Sequence, residues 1–140
     1  MNWQLFAIGS ALFAGLTAVL AKIGVRDIPS NLATFIRTLV ILPILMTIVF
    51  LNREWRPLSS IPHKTLVFLV LSGMATGASW LCYYRALQLG PVSLVASIDK
   101  TSLLVAVILS VVLFGERLSL FQWMGAGLMM IGALFVMKKT

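Results

Sequence analysis

Five long apolar runs constrain the fold of this chain more than any other feature. Each is long enough to cross a hydrocarbon layer of about 30 Å as a helix that rises about 1.5 Å per residue. The runs lie near residues 3–24, 31–51, 65–88, 91–114 and 118–137. The sequence therefore predicts an all-α membrane protein with five transmembrane helices.

The composition excludes a soluble fold. Of the 140 residues, 60% are hydrophobic and only 11% are charged, which leaves too few polar side chains to cover a soluble domain. A net charge of +7 would suggest a nucleic-acid partner in a soluble chain, but here Lys and Arg lie singly at the ends of the apolar runs. We therefore expect contact with membrane lipid and no nucleic-acid partner.

The connections between the runs are short. Only residues 52–64 form a sizeable loop, and Gly90, Pro91 and Gly115 mark tight turns between the later runs. The first run lacks a basic leading segment and a convincing cleavage site, so we expect a permanent span rather than a secretory signal. We expect residues 1–140 to form a single transmembrane domain.

The positive charges of the loops give almost no preference for one orientation in the membrane. The side of the N-terminus carries four positive charges: Arg53, Arg56, Lys64 and Arg117. The opposite side carries five: Lys22, Arg26, Arg85, Lys138 and Lys139. Since the Lys and Arg imbalance of short loops sets orientation, a balanced chain can insert both ways and form an antiparallel dimer. A fixed orientation, set by the first span, is an equally open alternative.

Charges inside the spans are the best indication of a functional site, because each costs about 2.5 to 3.5 kcal/mol at the centre of a membrane helix. Asp99 lies roughly 5 Å from the middle of the fourth span, and Arg37 lies about 9 Å into the second. Lys100 is rotated by about 100° from Asp99 on a helix, and Lys22 and Arg85 end the first and third spans.

Two interpretations of these charges are open. In the functional one, Asp99 exchanges a proton or a cationic substrate while the basic groups attract an anionic moiety. In the structural one, Asp99 pairs permanently with Arg37 or Lys100 and fixes the packing of the helices.

Aromatic and small residues add further candidates. Trp80 lies inside the third span with Tyr84 one turn later, where an amphipathic or cationic ligand could stack, although packing is an alternative role. Gly73 and Gly77 form a small-xxx-small motif, and Ala11 and Gly15 give the first span a similar face. We expect close helix packing at these positions.

The sequence carries no motif of an enzyme. It has no His-Glu metal motif, no Ser-His-acid set and no glycine-rich phosphate loop, and His63 stands alone in a loop. We therefore expect no enzymatic activity, no cofactor and no metal site.

Five segments resemble the EamA-type drug/metabolite transporter superfamily, in its branch of single-unit, five-span bacterial and archaeal members. The segments are Ala-Lys-Ile-Gly (21–24), Asn-Leu-Ala-Thr-Phe-Ile-Arg-Thr (31–38), Tyr-Tyr-Arg-Ala-Leu-Gln-Leu-Gly-Pro (83–91), Ile-Asp-Lys (98–100) and Leu-Phe-Gly-Glu-Arg (113–117). Longer relatives carry two such units, inverted with respect to each other, and often have a proline in the middle of the fourth span. This chain has Asp99 in that region, so their substrate sites are not carried over.

The resemblance implies that the chain is one half of an inverted-repeat transporter. Such a unit has to pair with itself or with a homologous half, and we expect it in the cytoplasmic (inner) membrane of a bacterium or archaeon. The expected function is secondary transport of a small metabolite or amphiphile by a dimer, with alternating access and proton coupling through Asp99. The alternative is a non-transporting accessory subunit whose buried charges are assembly contacts.

Overall fold

A computed structural model describes residues 2–138, so Lys139 of the charge comparison lies outside the described residues. Its helices are α1 (Trp3–Gly24), α2 (Ser30–Leu51), α3 (His63–Leu89), α4 (Val92–Asp99), α5 (Ser102–Phe114) and α6 (Leu120–Met137). A short 3₁₀ helix, Leu58–Ser60, lies between α2 and α3, and the described residues contain no strand. The prediction of an all-α fold is confirmed.

Five segments of the described chain are long and apolar enough to cross a membrane. They are α1, α2, α3, the segment Val92–Phe114 that contains α4 and α5, and α6. Apolar side chains remain largely exposed along these spans, which is favourable only against lipid or another apolar surface. The five-span prediction is therefore confirmed.

The helix ends follow from local sequence. Pro29 and Pro91 lie directly before α2 and α4, where a proline costs no helix hydrogen bond. Gly115 ends α5 with φ +66, a left-handed conformation that a residue without Cβ adopts at little cost. Ser119 and Gln122 begin α6 with a reciprocal capping box.

The fourth span runs over Val92–Phe114, close to its predicted range of 91–114, but its α-helical hydrogen-bond pattern is interrupted once. The pattern stops after Asp99 and resumes at Ser102, while Lys100 and Thr101 keep helical backbone angles. At the interruption the Thr101 amide bonds to the Ile98 carbonyl over three residues, and the Thr101 hydroxyl donates to the same carbonyl at 2.7 Å. Side-chain hydrogen bonds of this kind compete with the helical pattern, and the polar stretch at 99–102 tightens the helix locally into a 3₁₀-type turn.

The helices group into two units, residues 2–88 and residues 89–138. In the first, the buried residues collect where the α1–α2 loop meets the end of α3. Val25 and Leu87 are fully buried there, beside buried Ala21, Ala33 and Tyr84. In the second unit, α6 packs against both α4 and α5, and Ala133 is buried.

Candidate functional site

Arg37 lies over two aromatic rings in the α1–α3 unit. Its Cζ is 4.2 Å from the centroid of the Trp80 ring and 5.7 Å from that of the Tyr84 ring. Trp80 and Tyr84 are one helical turn apart on α3, so both rings are presented on the same side of that helix. The structure thus brings together three of the residues singled out from the sequence, which come from α2 and α3.

The aromatic contacts offset part or all of the cost of the Arg37 charge but leave its N–H donors unused. Each cation–π contact contributes about 0.5 to 2 kcal/mol, so the two contribute about 1 to 4 kcal/mol, against about 2.5 to 3.5 kcal/mol for a charged side chain at the centre of a membrane helix. Within the described part of the α1–α3 unit, Arg37 forms no ion pair and donates no hydrogen bond to another side chain. A guanidinium has five N–H donors and stays charged, so this one can still bind an acceptor.

A cavity of about 330 Å³ opens beside Arg37. Its wall is formed by Arg37 and Ile36 of α2, Tyr84 of α3, and a set of small and apolar residues from α1 and the following loop. The charged group therefore faces space that a small molecule or water can enter, and not a closed core.

Lys22 and Arg85 are engaged in contacts that hold the end of the α1–α3 unit. The Lys22 ammonium donates to the Leu87 carbonyl at 2.5 Å, in the last turn of α3, where a cation is favoured by the helix dipole. Arg85 donates to Oε1 of Gln88 at 2.8 Å. Lys22 thus joins α1 to α3, whereas the Arg85 bond lies within α3, and a part of either cation in binding substrate stays a prediction.

Gln88 has a structural role that the sequence analysis did not predict. Its Nε2 donates to the carbonyls of Ile28 at 3.1 Å and Val25 at 3.4 Å, while its Oε1 accepts from Arg85. The side chain therefore fixes the α1–α2 loop to α3. A long amide in the last turn of a span, just before a Gly-Pro turn, is the only signal that could have indicated it.

A second, wider cavity of about 860 Å³ lies at this end of the α1–α3 unit. Its lining includes Arg26, Asp27, Arg85 and Gln88. Ile28 lines both this cavity and the smaller one beside Arg37, so the two are neighbours. The wider cavity carries two cations and one acid, and it has a net positive charge.

Asp99 and Lys100 lie at the helix interruption of the other unit. The Lys100 ammonium is 3.5 Å from the Asp99 carboxylate, and the two side chains are 65% and 37% exposed. Of the two partners that the sequence suggested for Asp99, the one observed is the adjacent lysine. Whether this pair is permanent or opens in transport stays a prediction.

The small-residue stripes have no close neighbours in the described α1–α3 unit. A Cβ built at Gly15, Gly73 or Gly77 would meet no atom within 4 Å, and Ala11 is exposed. Close packing at these positions stays a prediction. The described residues also contain no group of three or more His, Cys, Asp or Glu that could hold a metal ion.

Comparison with known proteins gives two matches. Residues 1–138 match the EamA-like transporter family. The chain is also 49% identical over 135 residues to a protein named "Uncharacterized transporter in cobO 3'region" from Sinorhizobium sp, with 96% of each chain covered. No solved structure matches the chain. The family match spans nearly the whole chain, so the chain belongs to the EamA-like transporter family and is a membrane transporter, not an enzyme.

Proposed function

We propose that this protein is a secondary transporter of a small metabolite or amphiphile, which works as a dimer by alternating access and couples transport to protons through Asp99. The observation that carries the proposal is the interruption of the α-helical hydrogen-bond pattern of a membrane span at an acidic residue, between Asp99 and Ser102. A stretch of 3₁₀ geometry inside a helix often marks a functional hinge, and transporters of inverted-repeat design place ion and substrate sites near the membrane midplane.

The state of the Asp99 carboxylate supports proton coupling. Its side chain is 37% exposed and its partner Lys100 is 65% exposed. Ion pairs in water contribute little to stability, so where water reaches the pair it can open at a small cost. Protonation of Asp99 then removes the charge that makes the span expensive to bury, which provides a physical basis for coupling.

Three observations support an antiparallel dimer. The loop charges are balanced between the two sides, which favours insertion in both orientations. The small-residue stripes at Gly15 and Gly73 leave open space within their unit and so can pack against a second copy. The relative from Sinorhizobium, a bacterium, is itself about the length of one five-span unit, because the match covers 96% of it. We place the dimer in the inner membrane of a bacterium or archaeon.

The test of the coupling is an Asp99→Asn variant in proteoliposomes that contain a pH-sensitive dye. Amino acids, dicarboxylates, sugar phosphates and quaternary ammonium compounds serve as candidate substrates, because none of them crosses lipid readily. We expect uphill uptake driven by a pH gradient in the parent protein and none in Asp99→Asn. The control is Glu54→Gln, which removes an exposed acid of the α2–α3 loop and should transport normally. Uphill, pH-dependent uptake by Asp99→Asn would refute coupling through this residue.

The test of the antiparallel arrangement is a reporter fused to the C-terminus and assayed on both faces of the membrane. Since five spans put the two termini on opposite sides, a single orientation gives a signal on one face only. We expect signals on both faces, and crosslinked dimers in native membrane. A signal on one face only would contradict the antiparallel arrangement, and crosslinking that finds only monomers would contradict the dimer.

An accessory subunit is the second candidate, because Lys100 is 65% exposed on a span and an exposed cation there can serve as an assembly contact. Purification in mild detergent separates the two functions. A self-contained dimer with ligand-dependent thermal shifts supports transport, and obligate co-purification with a different protein supports the accessory function.

A further inference from the structure

The aromatic faces beside Arg37 are already occupied. With the guanidinium carbon 4.2 Å from the Trp80 centroid, no ligand atom fits between the cation and the ring. The Tyr84 ring, 5% exposed, is covered as well. A cationic ligand would therefore have to displace Arg37 from Trp80 and approach a fixed positive charge, which is unfavourable in a medium of low dielectric constant.

Arg37 itself, by contrast, lacks an anionic acceptor for its N–H groups. Its two aromatic neighbours attract the charge, but a ring face accepts none of the directional hydrogen bonds that a guanidinium fork makes best with carboxylate or phosphate oxygens. No acid of the described α1–α3 unit pairs with it, and it lines the cavity of about 330 Å³. An oxyanion entering that cavity would satisfy both the charge and the N–H donors.

The neighbouring wider cavity also favours anions over cations. Arg26 and Arg85 line it together with a single acid, Asp27. Arg85 is held by Gln88 and keeps its charge, so the cavity attracts anions and repels cations. Since Ile28 lines both cavities, an anion drawn into the wider one lies next to the one that contains Arg37.

We propose that Arg37 is the residue that recognises the cargo, that the cargo group it binds is a carboxylate or phosphate oxyanion, and that Trp80 and Tyr84 position the guanidinium for it. This inference rests on the proposed transport function and adds the chemical class of the cargo to it. Trp80 and Tyr84 then hold the Arg37 guanidinium in place and do not themselves bind a cationic ligand.

Trp80 provides a built-in reporter of binding. Replacing Trp3, Trp55 and Trp123 by Phe leaves Trp80 as the sole tryptophan, with its ring in contact with Arg37. The full chain is placed in phosphatidylcholine nanodiscs and titrated at constant ionic strength with benzoate, phenyl phosphate, benzyl alcohol or benzylammonium. We expect a saturable change in Trp80 emission with the two anions only. A saturable response to benzylammonium at equal or lower concentration would overturn the proposal.

Two substitutions of Arg37 and one control test the assignment. Loss of hydrogen bonds to a charged group predicts that Arg37→Gln binds the anions about 10 to 100 times more weakly. Arg37→Lys keeps the charge but loses the planar fork, so we expect intermediate affinity. Arg56→Gln, in the α2–α3 loop, should bind as the parent does. Unchanged affinity in Arg37→Gln contradicts the proposal, and if that variant does not fold, unchanged affinity in Arg37→Lys contradicts it.

The positioning by Tyr84 has its own test. Tyr84→Phe keeps the ring and should keep the anion affinity, whereas Tyr84→Leu should weaken it and leave the preference for anions intact. If Tyr84→Phe weakens binding as much as Tyr84→Leu does, the ring is not what positions Arg37.

Two further arms identify the source of the oxyanion and separate this inference from the proposed function. The first arm uses nanodiscs that contain phosphatidylglycerol. If Arg37 binds a lipid headgroup, Trp80 emission should already be shifted before any benzoate is added. If Arg37 binds a free anion, benzoate should change the emission as it does in phosphatidylcholine. In the proteoliposome assay, proton-coupled uptake of quaternary ammonium that is unaffected by Arg37→Gln would overturn the inference and leave the transport proposal standing. If the variant with Trp80 as its sole tryptophan binds anions but the protein takes up none of the candidate substrates, the transport proposal is contradicted and the assignment of Arg37 as an anion-binding residue stands.

Discussion

The two units of the chain handle a charge within a membrane span in different ways. In the α1–α3 unit, Arg37 of α2 lies over two aromatic rings that belong to α3. In the α4–α6 unit, Asp99 is held by the next residue in the chain, at a point where the helix is interrupted. The first arrangement is tertiary and supports the charge through packing, and the second is local and leaves the pair largely exposed.

This difference follows from what each group can do with a proton. An arginine stays protonated in proteins, so it can reduce its cost only through aromatic faces, water or a bound anion. A carboxylate can lose its charge by taking up a proton, so it needs no comparable support. Recognition of an anion suits Arg37, and coupling to protons suits Asp99.

The largest expected effect separates the two sites. Asp99→Asn should abolish uphill uptake, a loss of at least about a hundredfold for a group that carries the coupled proton, while anion binding reported by Trp80 changes by less than about twofold, as expected for independent sites. Titration of benzoate and dye-reported uptake on the same preparation measure both. If Asp99→Asn instead tightens anion binding strongly, Asp99 is the counter-ion of Arg37 and the two sites are one.

Arg37→Gln should give the complementary result. We expect uptake of the transported anion with KM raised about 10- to 100-fold, since hydrogen bonds to a charged group are lost, and with its dependence on the pH gradient retained. Initial rates against substrate concentration at two pH gradients check this. A variant whose KM is unchanged but whose pH dependence is lost would reverse the proposed division between the sites.

Gln88→Ala tests the tertiary support in the α1–α3 unit. The substitution removes the hydrogen bonds that join the α1–α2 loop to α3 and leaves Arg85 without its partner, at an expected cost of about 1 to 3 kcal/mol in the free energy of unfolding. Thermal unfolding in detergent measures it. Gln122→Ala, which removes half of the capping box of α6, gives a matched amide deletion in the other unit, for which we expect a smaller loss.

Lys100→Gln should have the smallest effect on stability. Because the pair with Asp99 is exposed and local, its loss should change the free energy of unfolding by only about 0 to 1 kcal/mol. The same unfolding assay applies. Destabilisation comparable to that of Gln88→Ala would mean that the Asp99–Lys100 pair is a structural lock.

The spans could be predicted well from the sequence, because lipid demands long apolar helices and the turns carry Pro or Gly. The first span was predicted at 3–24 and is Trp3–Gly24, and the second was predicted at 31–51 and is Ser30–Leu51. The change of hydrogen-bond pattern at 100–101 was not predicted, because a hydropathy window averages over a few polar residues. The signal was the run from Asp99 to Ser102, in which every residue is polar.

The candidate site was predictable only as a set of residues. Arg37, Trp80 and Tyr84 were each singled out, but their meeting depends on α2 and α3 lying side by side at one depth, which periodicity along a single helix does not reveal. For the same reason the sequence left open whether Trp80 stacks against an amphipathic or cationic ligand or only packs, and in the structure Arg37 lies over its ring.

The central claim is that water or cargo reaches the interrupted span at Asp99. The direct measurement is labelling of a Ser102→Cys variant, in a Cys82→Ala background, by a membrane-impermeant thiol reagent, with Leu109→Cys on α5 as the control. Ser102 lies three residues after Asp99, on the same face of the span. Since the thiolate is the reactive form and it does not form in lipid, we predict labelling at position 102, slowed by transported substrate, and none at position 109. Absence of labelling at position 102 from either face of the membrane would contradict the claim.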